Sequence, residues 1–211
     1  VLLETSNVLR PDNYPAGLVG SGVKICDIQT SNGIEKLAVI NLMGIYGMPM
    51  VENPFNWAKK LVTNLQEQNI KNIFLDFHAE VTSEKRIMLM MFKNQISAIC
   101  GTHTHVGTDD LQIFENTAYL TDIGLTGCRD NVIGMDSKIP IQKVTTGIGG
   151  HFEVPNSCKS ILQMLVVDID DGKASSAFKI KKYCNNSKLF ITEAFIDWDL
   201  NYTELIKIRI K

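Results

Sequence analysis

The order of three segments in the middle of the chain constrains the fold most. Ile73-Phe74-Leu75-Asp76-Phe77 is a short apolar run of the buried-strand type. A helix is predicted from Ser83 to about Lys93, with Glu84 in its first turn, and residues 96–100 form a second apolar run. Strand, helix and strand in this order imply a right-handed crossover that leaves the helix outside a sheet. The expected class is therefore α/β.

Flanking segments extend this frame. Residues 23–28 and 37–42 are apolar-rich and are separated by Thr30-Ser31-Asn32-Gly33, which predicts an antiparallel hairpin. Asn53 is placed to cap a helix with Pro54 at its first position, and Phe55, Ala58, Leu61, Val62 and Leu65 recur at helical spacing behind them. Two further hairpins are expected. One joins residues 111–114 to 118–121 through Glu115-Asn116, and the other joins 161–169 to 174–180 through Asp170-Asp171-Gly172. The glycine-rich stretch 124–150 reads as ordered loops with one short helix near Pro140, and the polar and aromatic stretch from Asn185 onward has no assignable pattern.

Composition bounds the function. With 211 residues, 45% of them hydrophobic, one large soluble domain is expected. A formal net charge of -2 from 21 basic and 23 acidic side chains provides no sustained positive field, which disfavours a protein that tracks nucleic-acid phosphates. A small anionic substrate would need a local positive centre. The five cysteines (Cys26, Cys100, Cys128, Cys158 and Cys184) are odd in number, scattered and never paired as C-x-x-C, a usage that suits a reducing cytoplasm. No apolar run approaches membrane-spanning length, and residues 1–10 lack the pattern of a secretory signal.

Three of the four histidines stand directly past the ends of apolar strands. His78 follows residues 73–77, and His103 and His105 lie in Gly101-Thr102-His103-Thr104-His105 after residues 96–100. Residues two apart in an extended segment point the same way, so the two loop imidazoles share a side, and neighbouring strands would bring His78 to them. Neutral imidazole is a good ligand for zinc, iron and manganese. A single histidine is more often a surface or hydrogen-bonded core residue; the shared setting makes His78, His103 and His105 candidate metal ligands. His151 lacks that setting and reads as structural or surface.

Asp76, Glu80, Asp109, Asp110 and Asp122 are the carboxylates nearby in sequence, each with a simpler reading as a turn former, cap or loop solubiliser. Asp122 stands at a strand end ahead of Gly124 and Gly127, so it could orient a ligand histidine, with the two glycines bordering the same cleft. Cys100 lies in an apolar strand and reads as packing. Neither a phosphate-cradling G-x-x-x-x-G-K-[ST] loop nor a G-x-S-x-G nucleophile elbow is present.

Four blocks taken together resemble one family: Leu9-Arg10-Pro11-Asp12-Asn13-Tyr14-Pro15, Asp76-Phe77-His78-Ala79-Glu80 with Thr82-Ser83-Glu84-Lys85, Gly101-Thr102-His103-Thr104-His105-Val106, and Tyr119-Leu120-Thr121-Asp122-Ile123-Gly124-Leu125-Thr126-Gly127. They are similar, in unbroken order from about Val8 to Lys182, to the YmdB-type branch of the calcineurin-like metallophosphoesterases of bacteria. The resemblance implies an α/β sandwich of two packed mixed sheets flanked by helices, and hydrolysis of 2′,3′-cyclic nucleotides or related small phosphodiesters. It also implies two divalent metal ions, iron or manganese rather than zinc, with His78 and His103 on one ion and His105 on the other.

The resemblance further implies a domain over residues 1–183 and a C-terminal extension over 184–211. The family's Gly-Asp, Glu-Asn and Gly-Asn-His segments, which supply further ligands and the leaving-group acid, are expected upstream of Val1, in roughly 70 residues. Without them, apolar sheet edges would be exposed and the chain would fold poorly alone. No stable nucleic-acid or membrane partner is expected, and a homo-oligomer is allowed. Two other readings stay open: a mononuclear zinc hydrolase built on the three histidines, and a non-catalytic binding protein.

Overall fold

The computed structural model describes residues 10–31, 33–184 and 188–196. Residues 1–9, Asn32 of the first expected turn, and 185–187 and 197–211 of the expected extension lie outside the described residues. In chain order the elements are β1 (Val23–Thr30), β2 (Gly33–Met43), α1 (Pro54–Glu67), β3 (Asn72–His78), α2 (Thr82–Phe92), β4 (Ala98–Thr102), β5 (Gln112–Phe114), β6 (Thr117–Leu120), β7 (Gly127–Cys128), α3 (Lys138–Thr146), β8 (Ser160–Asp170), β9 (Lys173–Tyr183), β10 (Leu189–Glu193) and β11 (Phe195–Ile196).

Local chemistry accounts for most boundaries. The Asn53 side chain accepts hydrogen bonds from the N–H groups of Phe55 (3.0 Å) and Asn56 (3.1 Å), and Pro54 opens α1 where its missing donor costs nothing. The β5–β6 turn puts Glu115 and Asn116 at φ 42° and 65°, and the β8–β9 turn puts Asp171 and Gly172 at φ 45° and 81°. Two consecutive left-handed residues match the twist of a tight hairpin. β4 begins two residues later than the apolar pattern suggests. Asn94 turns the chain at φ 60°, and the N–H of Ile96 still bonds back to Phe92 at 3.1 Å, so Ile96 closes the end of α2 rather than opening a strand.

Two sheets form the frame, one of seven strands in the order β1-β2-β3-β4-β6-β5-β11 and one of four in the order β10-β9-β8-β7. β2, β3, β4 and β6 pair in parallel, with α2 crossing from β3 to β4, while every pairing in the smaller sheet is antiparallel. β10 and β11, from the stretch after residue 183, are added at the outer edges of the two sheets.

Strand alternation divides the large sheet into two faces. Ile40, Leu42, Ile73, Leu75, Phe77 and Ile99 pack with Ala58, Val62 and Leu65 of α1 and Met88, Leu89 and Phe92 of α2. Full burial of each large apolar side chain there contributes about 1.5–3 kcal/mol. On the opposite face Ala98, Cys100, Ala118 and Leu120 meet Ala174 and Ala177 of β9, with Leu165 and Val167 of β8 against them. The layers are therefore helices, large sheet, small sheet. Phe74 packs toward the small sheet, so Asp76 and His78, two and four residues on, share its face and emerge at the strand's C-terminal end. No helix among the described residues is long and apolar enough to cross a membrane.

Backbones come closest where β4 leaves the sheet. A β-carbon on Gly101 would lie 1.7 Å from the Thr121 carbonyl oxygen and 2.8 Å from Cδ of Lys85. Gly101→Ala should therefore force β4 and the end of β6 apart and cost about 1–3 kcal/mol or more. Urea denaturation of the variant beside the parent measures the loss, and an unchanged midpoint would refute the close approach.

Candidate metal centre

Parallel register builds the site. Asp76 pairs with Cys100 and His78 with Thr102, so β3 and β4 end side by side and deliver Asp76, His78 and Thr102 to one face. His103 follows at once. Its Nδ1 lies 3.1 Å from Nε2 of His78, with the rings edge to face at 4.8 Å between centroids. The structure thus brings two of the three candidate ligands into contact.

The hydrogen-bond network fixes which nitrogens carry protons. The Thr102 hydroxyl donates to Oδ1 of Asp76 at 2.8 Å, so its oxygen accepts from Nδ1–H of His78 at 3.0 Å. Asn41 donates to the other Asp76 oxygen at 2.8 Å. This leaves Nε2 of His78 bare and aimed at His103. On the far side, Nε2 of His103 lies 3.1 Å from Oε2 of Glu80, which accepts its proton. Nδ1 of His103 and Nε2 of His78 therefore meet across one shared proton or one shared cation. A separation of 3.1 Å suits two nitrogens bound to one ion at about 2.0–2.1 Å. The donor set fits a metal. Burial, followed by the neighbouring His103, lowers the pKa of His78, which favours the neutral, ligand-competent imidazole.

His105 is exposed, and its Nδ1–H donates to the Ile133 carbonyl at 2.7 Å, which leaves Nε2 free. A backbone carbonyl on the second ring nitrogen is the usual way a ligand imidazole is oriented. The His105 imidazole makes its hydrogen bond to the Ile133 loop, outside the His78–His103 contact. Both loop histidines hold left-handed backbone, His103 at φ 108° and His105 at φ 64°. That conformation is unfavourable for residues with a β-carbon and persists only where surrounding contacts impose it.

Asp122 imposes it. Its Oδ2 accepts the Thr104 N–H, between the two histidines, at 3.1 Å and Nζ of Lys85 at 2.9 Å, while Oδ1 accepts the Gly124 N–H at 2.8 Å. Asp122 thus reaches the loop through its backbone rather than through an imidazole. Both members of the Lys85–Asp122 pair are buried, at 0% and 1% exposure. Burial acts to raise the Asp122 pKa, but the Lys85 ammonium and the two N–H groups outweigh it, so the carboxyl lies below its ordinary value. Gly124 adopts φ 90° and Gly127 φ 148°, where the loop after β6 turns into β7.

Other residues have supporting roles that the sequence did not suggest. Glu84, also buried, accepts the N–H of Ile45 at 2.8 Å and so ties the loop after β2 to α2. Lys179 of β9 lies buried beneath the site loops and donates to the Thr108 carbonyl at 3.2 Å; burial lowers its pKa. Of the remaining carboxylates, Asp110 bonds Thr121 and shapes that turn, and Asp109 is exposed. Cys100 is buried, and burial pushes its thiol up to about 12, which makes it a packing residue. His151 is exposed.

The comparisons with known proteins agree with one another. A family model described as YmdB-like protein matches residues 1–182. A 2′,3′-cyclic-nucleotide 2′-phosphodiesterase of Bacillus subtilis (strain 168) is 39% identical over 184 residues, covering 87% of this chain and 67% of that protein. Among solved structures, a hypothetical protein from Thermus thermophilus superposes with a TM-score of 0.72 at 26% identity, over 88% of this chain and 67% of that one. A novel phosphatase from Mycoplasma pneumoniae superposes with a TM-score of 0.65 at 28% identity, over 88% and 62% respectively. The chain thus spans about two thirds of the length of these relatives.

Asp122→Asn should cost about 3–5 kcal/mol, because it leaves the Lys85 ammonium buried without its counter-charge. The sign with pH follows from the depressed folded-state pKa. The carboxylate's contribution is complete above about pH 4, the unfolded value, and is lost as pH falls through the folded one. Denaturant midpoints measured from about pH 7 down to about pH 2 should fall with acid in the parent and show a shallower acid limb in the variant.

Proposed function

The chain belongs to the YmdB-like family, and on that footing we propose that it carries the histidine side of a metal-dependent phosphodiesterase centre. Relatives named as a phosphodiesterase and a phosphatase support the reaction class. The finer reading is hydrolysis of 2′,3′-cyclic nucleotides or similar small phosphodiesters by the complete protein, with two divalent ions. The observation that carries it is the 3.1 Å approach of Nδ1 of His103 to Nε2 of His78, with His105 on the same loop held through Nδ1 so that its Nε2 faces away from the Ile133 carbonyl.

In this reading His78 and His103 hold one ion and His105 holds the other, with Glu80 beside His103 as the nearest carboxylate. Divalent ions held there would supply positive charge for the phosphoryl oxygens and acidify a water into a nucleophile. Imidazole and carboxylate donors without thiolate suit iron or manganese as well as zinc, and the first two are favoured here. The chain's own residues prepare the donors. Thr102 and Asp76 keep the His78 proton on Nδ1, the Ile133 carbonyl does the same for His105, and Asp122 holds the turn that spaces His103 from His105. A local positive centre resolves how a chain of net charge -2 recruits an anion. Residues 1–183 form the catalytic unit in this reading, and 184–211 are an extension whose strands lengthen both sheets.

The test is turnover and metal content of the full-length protein on 2′,3′-cyclic AMP and bis-p-nitrophenyl phosphate. His103→Ala should lower metal content and reduce kcat by about a hundredfold or more, since one ligand and the activation of water are lost together. His151→Ala should change neither. Two ions per chain support the two-metal form, and one ion with full activity would replace it by the mononuclear form. Unaltered hydrolysis in His103→Ala would overturn the assignment.

A further inference from the structure

Two of the five cysteines, far apart in sequence, meet at one corner of the small sheet, and the backbone of a third passes beside them. Cys128 ends β7 opposite Ser160 of β8, Cys158 lies two residues before Ser160, and the backbone N–H of Cys184, just past β9, donates to the Ser160 carbonyl at 3.1 Å. Sγ of Cys128, Sγ of Cys158 and a carboxylate oxygen of Asp130 all lie within 4.8 Å of one another. Asp130 is exposed but tethered. Its Oδ1 accepts from the Cys128 thiol at 3.5 Å and from the Lys159 N–H at 3.1 Å, which fixes it over the sulfur. Nδ2 of Asn131 donates to the same sulfur at 3.5 Å, a contact of the kind that orients and polarises a ligand thiolate.

We propose that Cys128, Cys158 and Asp130 form a second cation site, selective for a soft ion of the zinc class, with water completing four ligands. Tetrahedral binding at about 2.3 Å from sulfur sets ligand atoms roughly 3.8 Å apart, inside the spacing already present, so small side-chain adjustments suffice. Thiolate donors separate this site from the imidazole and carboxylate centre, which takes harder ions. A disulfide would employ only the two sulfurs and would leave Asp130 outside the bond. The site also has a consequence for its neighbour. Cys128 and Asp130 anchor the start of the loop whose Ile133 carbonyl holds Nδ1–H of His105, so the ion would stiffen that seat.

Cobalt(II) titration of the full-length protein under reducing conditions tests the proposal, because sulfur-to-cobalt charge transfer absorbs in the near ultraviolet and imidazole or carboxylate ligation does not. One equivalent of cobalt should produce the band, and zinc should displace it. Cys128→Ser and Cys158→Ser should each weaken binding by about tenfold or more and diminish the band, and His103→Ala should leave it intact. Asp130→Asn, which removes no thiol, should weaken binding about tenfold and guards against misfolding of the cysteine variants, whose circular dichroism is compared with the parent. No band in the parent, a band that survives both serine substitutions, affinity unchanged in Asp130→Asn, or a Cys128–Cys158 disulfide found by mass spectrometry of the reduced preparation would each overturn it.

Discussion

The buried pair of Lys85 and Asp122 is the interaction on which the site's geometry depends. Two opposite charges withdrawn from water gain little net stability, because desolvation cancels most of their attraction. Their importance lies in what they require of their surroundings. Asp122 keeps its charge only if its remaining lone pairs are filled, and the groups that fill them are the N–H of Thr104 and the N–H of Gly124. The ammonium arrives from the first turn of α2, whose neighbour Glu84 simultaneously clasps the loop after β2. One short helix thereby joins the exits of β2, β4 and β6, and those exits form the floor of the site.

A similar dependence governs the imidazoles. A left-handed turn at His103 and His105 is unfavourable in isolation, yet it lets two ring systems leave one short loop in different directions. One meets His78 from the adjacent strand, and the other turns to the Ile133 carbonyl. Thr102, backed by Asp76, and Glu80 hydrogen-bond the outer ring nitrogens of the His78–His103 pair. The chemistry available at the site is therefore determined by proton placement in its supporting residues as much as by the presence of three histidines.

Much of the fold was legible in the sequence because its signals are local. Asn53-Pro54, Glu115-Asn116 and Asp171-Gly172 announce a helix start and two turns through backbone preferences that depend on few neighbours. The approach of His78 to His103 could be expected because one ends a buried strand and the other follows the next, and parallel register brings such positions together. The supporting residues were not legible for the opposite reason. Glu84 and Lys85, consecutive charged residues in a helix's first turn, read as solvated until the loops that bury them are in place. Cys128, Cys158 and Cys184 looked scattered because their proximity arises from the pairing of β7, β8 and β9, which no spacing in the chain encodes. The Ile133 carbonyl offers no side-chain signal, and the parallel docking of β11 beside β5 follows no pattern in residues 185–211.

At the opposite end of the sandwich, the tip of the β8–β9 hairpin is fastened to the start of β3. The Gly172 N–H donates to the Asn72 side chain at 3.0 Å, Ser97 donates to the Gly172 carbonyl at 2.8 Å, and Lys71 pairs with Asp171 at 2.7 Å. Asn72 and Gly172 are 100 residues apart in sequence. Fastening residues so far apart in the chain closes a long loop, whose entropic cost grows only slowly with its length. The clasp therefore joins the small sheet to the large one at a point remote from the mouth where the histidines meet, so the two ends of the sandwich are held by separate sets of contacts.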